Sequence, residues 1–162
     1  MRTEHPAQGF TLLELLIVAA IVALLVGFAA LTISRGTHRA LETGGDAVVA
    51  ALDQAGDAAV LSGRPHALLL ARDGFMLLRF RDTGWQPAAG SAWRQRLPPG
   101  VEFLRAGCGP LANCNPATRP QVVVLPDGSP YGELPALVEL AGQRQLRVVP
   151  GRQGRFALEA AQ

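Results

Sequence analysis

The first long apolar run opens at Phe10 and, apart from Glu14, carries no charged side chain until Arg35. Between Leu15 and Ser34 most positions are Leu, Ile, Val or Ala. That window alone reaches the roughly 20 residues that cross a bilayer's hydrocarbon core, so a membrane helix is expected over 10–34. Past Arg35 the apolar positions thin out but keep a helical spacing. Leu41, Val48, Leu52, Ala55 and Ala59 draw a single stripe along an amphipathic continuation over 35–62. The stripe can face the chain's own globular part or the helices of partner molecules. Gly27, Gly36 and the pair Gly44-Gly45 are points where such a helix can bend, and Ser62, Gly63 and Pro65 stop it.

From His66 onward the pattern shortens to strand-like runs separated by turn residues. His66–Ala71 and Phe75–Phe80 flank Arg72-Asp73-Gly74, a hairpin signal because Asp-Gly suits a tight reversal. Further strands are expected at Val101–Leu104, Gln121–Leu125, Ala136–Leu140, Gln143–Val149 and Arg155–Leu158, with turns at Pro98-Pro99-Gly100, Pro126-Asp127-Gly128 and Gly142. Residues Ala106–Pro120 read as an irregular surface loop. One long helix followed by antiparallel strands predicts an α+β fold, with a β-rich head over 63–162 packed on the helix.

Composition narrows the chemistry. A net charge of +2 is too small to argue for nucleic acid, and the fifteen basic residues, all Arg, are spread along the chain. No Gly-rich phosphate loop, metal-binding histidine pair or nucleophile elbow is present. His5, His38 and His66 stand apart from one another, and Asp73, Asp82 and Asp127 each lie close to a Gly, which reads as turn chemistry. The expectation is therefore a protein without enzyme activity, metal or cofactor. Trp85 and Trp93 are candidates for the core or for an anchor at a subunit interface. Cys108 and Cys114 are separated by a loop containing Gly, Pro and Asn that can bring them within bonding distance, and an oxidising compartment would favour a disulfide.

A secretory signal peptide fits the N-terminus badly, since the apolar stretch is too long and holds Glu14 near its start. The run Gly9-Phe10-Thr11-Leu12-Leu13-Glu14 leading straight into the apolar helix resembles the class III signal of type IV pilins and pseudopilins. The resemblance implies a leader of residues 1–9, cleavage after Gly9 by a prepilin peptidase, and N-methylation of the new terminus, Phe10. It also implies an assembly role for Glu14, meeting the terminal amine of a neighbouring subunit. Physics independently asks for such a partner, because a carboxylate at membrane depth costs at least about 2.5 kcal/mol. The positive-inside rule does not by itself orient the span, with Arg2 and Glu4 on one side and Arg35 and Arg39 on the other.

The later segments are similar to the H-type minor pseudopilins (GspH). They are Gly74-Phe75-Met76-Leu77-Leu78-Arg79-Phe80, Gly84-Trp85-Gln86-Pro87, Arg96-Leu97-Pro98-Pro99-Gly100-Val101, Val123-Val124-Leu125-Pro126-Asp127-Gly128 and Gly151-Arg152-Gln153-Gly154-Arg155. This likeness implies a structural subunit near the tip of a periplasmic pseudopilus of a type II secretion system, anchored by a single pass in the bacterial inner membrane. Its implied partners are major and minor pseudopilins, prepilin peptidase and the inner-membrane assembly platform. Major pseudopilins hold Ca²⁺ in a C-terminal loop. A calcium site needs six to eight oxygen ligands, and here Asp127, Glu133, Glu139 and Glu159 are scattered, which favours a minor subunit. The competing expectation is a FimT-like minor pilin serving DNA uptake or pilus assembly, with Arg144, Arg147, Arg152 and Arg155 as phosphate contacts.

Overall fold

The computed structural model describes residues 12–88, 94–139 and 144–161. Two compact units divide the chain, Met1–Gly36 and Thr37–Gln162. In the first, the described residues are helical. They are the opening part of helix α1, which runs over Leu12–Ser62. Gly9, Phe10 and Trp93 lie outside the described residues, as do parts of the expected strands Ala136–Leu140 and Gln143–Val149.

In the second unit the rest of α1 packs on ten strands. They are β1 His66–Ala71, β2 Gly74–Arg81, β3 Gly84–Pro87, β4 Arg94–Arg96, β5 Val101–Phe103, β6 Val122–Val124, β7 Pro130–Gly132, β8 Ala136–Glu139, β9 Gln145–Pro150 and β10 Phe156–Ala161. The larger sheet has the order β3-β2-β1-β6-β7 with β4 also on β2, and the smaller has the order β10-β9-β8-β5. Every ladder is antiparallel. An α+β architecture is the result.

Helix α1 ends as its sequence dictates. Gly63 takes the left-handed conformation (φ 62°) that a residue with a Cβ resists, and Pro65 follows. The stripe Leu41, Val48, Leu52, Ala55 and Ala59 is buried, four of the five completely. With Leu68, Leu70, Phe75, Leu77, Val101, Phe103, Val122, Val124, Leu137, Val148 and Phe156, all of it but Ala59 forms the main core. The stripe thus faces the chain's own head.

The glycine pair in this stretch is not a point of interruption, for the helix continues through it. A Cβ on Gly44 would lie 3.3 Å from Pro98 and one on Gly45 2.7 Å from Leu158, so the missing side chains let helix and sheets approach closely.

The β1–β2 hairpin closes at Ala71 opposite Gly74, so Arg72 and Asp73 make the turn and Gly74 belongs to the strand. Glycine is required at this strand position because a Cβ would sit 2.5 Å from the Gln95 carbonyl and 2.7 Å from Leu111. Both faces of β1 are buried, which explains its unbroken apolar sequence. One face joins the main core, and the other joins a smaller cluster of Ala67, Leu69, Ala71, Met76, Leu78, Leu111 and Cys114.

The segment Ala106–Pro120 is an irregular and mostly exposed loop, as expected, but it also reaches inward. It turns through a short 3-10 segment, Leu111–Asn113, that drives Leu111 to 1% exposure in the smaller cluster. Strands β3, β4 and β7 were not foreseen.

Candidate functional site

Two features of the described residues stand out: an apolar helix surface with nothing covering it, and a groove on the head. Along residues 12–27 every side chain is exposed, with Leu12, Leu13, Leu15, Leu16, Leu24, Leu25 and Val26 all above 60%. A helix apolar all round is stable only in lipid or among other helices. Among the described residues, no helix is long and apolar enough to cross a membrane. The side chains of 28–37 are outside the description, and with them part of the span expected over 10–34.

Glu14 lies two residues beyond Leu12, the first described residue of α1. Its side chain is exposed.

The four arginines considered for DNA do not converge. Arg144 precedes β9 and Arg152 follows it, so a six-residue strand, about 20 Å long, separates them. Arg147 lies opposite Glu159 in the β9–β10 ladder. Arg155 reaches two helix carboxylates, Asp57 at 3.4 Å and Asp53 at 3.7 Å. A guanidinium held between two carboxylates is poorly placed to neutralise phosphate.

The groove has a volume of about 1150 Å³ and lies within the head. Leu104, Tyr131, Leu134 and Pro135 give it apolar walls, and Arg105, Arg119 and Arg147 give it a basic edge. Arg105 is bonded to Glu133 at 3.0 Å. Sequence reading missed this groove because its lining comes from strands and loops far apart in the chain, none of which carries a motif.

Cys108 and Cys114 are joined by a disulfide, with their Cα atoms 5.8 Å apart. The loop they close lies along β1. Strand β6 pairs only with His66–Leu68, leaving the rest of that edge open. There the Leu70 amide donates to Gln121 Oε1 (2.7 Å), the Gly107 amide donates to the Leu70 carbonyl (2.9 Å), and the Arg72 amide donates to the Gly109 carbonyl (3.0 Å). Asp73 does more than turn the chain, because its carboxylate accepts the Leu111 amide at 2.6 Å.

The remaining titratable groups have local duties. His38 pairs with Glu42 at 3.3 Å on the helix surface, and buried His66 contacts the Arg64 carbonyl at 3.1 Å. The Ser129 hydroxyl, and then its amide, hold the Asp127 carboxyl below the usual aspartate range. Among the described residues, no group of three or more His, Cys, Asp or Glu could hold a metal ion. Trp85 is half-buried and meets Phe80 edge to face at 5.2 Å.

Comparison with known proteins adds to this geometry. Residues 5–30 match the family model described as the prokaryotic N-terminal methylation motif. Type II secretion system protein H of Pseudomonas aeruginosa is 29% identical over 140 residues, covering 77% of this chain and 80% of that protein. The minor pseudopilin EpsH from the type 2 secretion system of Vibrio cholerae shares the fold with a TM-score of 0.56 at 19% identity, over 74% of this chain and 96% of that one. The solution structure of E. coli GspH aligns with a TM-score of 0.54 at 22% identity, over 78% and 89% of the two chains. The chain thus matches the N-terminal methylation motif over residues 5–30 and is similar in fold to solved H-type minor pseudopilins.

Proposed function

We infer that this chain is a minor pseudopilin of a type II secretion system, a structural subunit near the tip of the pseudopilus that aids export of folded proteins across the outer membrane. The observation that carries the reading is one helix with two surfaces. Its opening part is apolar and exposed over 12–27, whereas its later part buries one apolar stripe against its own head. Such a subunit has its cohesive surface and its recognition surface on separate stretches of chain. The kinship with secretion protein H of Pseudomonas aeruginosa supports the same reading.

In this proposal residues 1–9 are the leader, 10–34 the membrane and assembly helix, 35–62 its amphipathic continuation and 63–162 the periplasmic head. Prepilin peptidase cuts between Gly9 and Phe10, and Phe10 is N-methylated. The subunit waits in the inner membrane as a single-pass protein until the assembly platform adds it to other pseudopilins. Glu14 sets the register by meeting a neighbour's terminal amine, and that ion pair compensates its burial among apolar helices. The work of the subunit is mechanical and uses no cofactor.

Terminal sequencing of protein recovered from cells tests the processing step. The wild-type chain should begin at methylated Phe10, and Gly9→Ala should remain uncut. Glu14→Ala should be cut but should enter filaments poorly. A Gly9→Ala chain that still begins at Phe10 refutes the assignment. Deletion of the gene should strand exported proteins in the periplasm. Normal export with lost DNA uptake would replace this reading with the FimT-like one.

A further inference from the structure

We propose that the Cys108–Cys114 disulfide is a redox latch that seals the open edge of β1 and completes one wall of the head's groove, while the helix-packed core stands without it. This inference concerns the head alone and does not depend on the secretion reading.

Four observations converge on the latch. Strand β6 covers β1 only at His66–Leu68, so beyond it the Leu70 amide and carbonyl would be left free on that side. Unpaired strand edges are sites for unwanted pairing with other chains. The segment 107–121 takes the place of the missing strand through Gly107, Gly109 and Gln121, and Cys108 bridges to Ala71 in parallel register. No regular ladder follows, so few hydrogen bonds hold this segment by themselves.

The disulfide supplies the remaining constraint. It closes a short loop around Leu111, whose side chain plugs the smaller cluster and whose amide is held by Asp73. Gly107, Thr118, Arg119, Pro120 and Gln121 of the same segment line the groove. Release of the segment would uncover the β1 edge and remove that wall together. The main core contains neither cysteine, and its packing under α1 does not pass through the loop.

The chemistry is thiol–disulfide exchange. The Cys108 and Cys114 S–H bonds break and one S–S bond forms. Two electrons and two protons pass to the disulfide of a protein thiol oxidase, which leaves as a dithiol. A chain still in a reducing compartment would carry an open edge and an incomplete groove. Oxidation after export would close both.

Hydrogen exchange followed by mass spectrometry on the full-length chain in detergent micelles reads the latch directly. The oxidised protein is compared with dithiothreitol-reduced protein and with the double variant Cys108→Ser/Cys114→Ser, with thiol alkylation confirming each redox state. Peptides covering 69–73 and 104–121 should exchange at least about tenfold faster without the bond, whereas those covering 48–59 and 145–150 should change by less than about twofold. Unchanged protection at 69–73 in the double variant would overturn the proposal. So would an equal rise in every peptide, which would make the bond a general stabiliser. Leu111→Ala, with the bond intact, should keep 69–73 protected; release as large as in the double variant would show that the plug, not the bond, is the latch.

Discussion

Replacing Leu52 with Ala tests whether the amphipathic half of α1 belongs to its own head. Leu52 is completely buried in the main core. The substitution removes three carbons, about 2.4 kcal/mol of transfer free energy at about 0.8 kcal/mol each. The neighbours are β-sheet side chains fixed by their ladders and cannot fully collapse into the space. The cavity left behind brings the expected loss to about 3–4 kcal/mol, inside the range for buried Leu→Ala changes.

Tryptophan fluorescence during urea titration of the full-length chain in micelles reports the head, where Trp85 sits against Phe80. At a typical slope of about 2 kcal/mol per molar urea, the midpoint should fall by about 1.5–2 M. Leu61, 87% exposed at the end of the same helix, supplies the control. Leu61→Ala should stay within about 0.5 kcal/mol of the wild type. Equal midpoints for Leu52→Ala and the wild type would refute the reasoning, because the stripe would then be free to face other molecules.

Gly74→Ala should destabilise the head by about 1–3 kcal/mol in the same titration, since its Cβ would be forced against the Gln95 carbonyl, a backbone atom that cannot swing away. Asp127→Asn probes an acid-dependent term. The folded carboxyl is held below its unfolded value by Ser129, so its stabilisation is fully present above about pH 4 and is lost as pH falls through the lower folded value. The midpoint gap between wild type and Asp127→Asn should therefore be constant near neutrality and shrink in acid; a gap that widens in acid contradicts the Ser129 contact. Arg155→Ala should cost about 1 kcal/mol or less, because Arg155 and Asp57 are largely exposed and only Asp53 is half-buried. A gel-shift titration should detect no salt-sensitive DNA binding that this change abolishes.

The helix stripe was legible in the sequence because Leu41, Val48, Leu52, Ala55 and Ala59 keep a helical period over several turns. The long strands were legible for a similar reason: Ala67–Ala71 of β1 and Phe75–Leu78 of β2 are continuous apolar runs on either side of a tight turn. Strands β3, β4 and β7 escaped because they are short and carry little burial pattern, with Gly or Pro in two of them. Their pairing is dictated by neighbours, not by their own residues. The division into two sheets was equally hidden, since a strand pattern does not say which edges meet. Leu111 was read as part of a surface loop because a lone apolar residue among Gly, Pro and Asn has no period. Gly44 and Gly45 illustrate an ambiguity of glycine itself, which marks flexibility or close contact with the same letter. Among the groups proposed to act, Glu14 stood out by its isolation in an apolar run. The groove could not stand out, because it exists only once the two sheets are placed.

Strand β10 is synthesised after every other described element, yet it reaches back to the middle of α1. Phe156 bonds through its amide to Asp53 at 3.0 Å, and Leu158 fills the space over Gly45. A nascent chain that has emerged only as far as β9 still has that stretch of helix bare. A chain ending before Phe156 would lack both contacts, so this flank of α1 is covered only when the last described strand is complete.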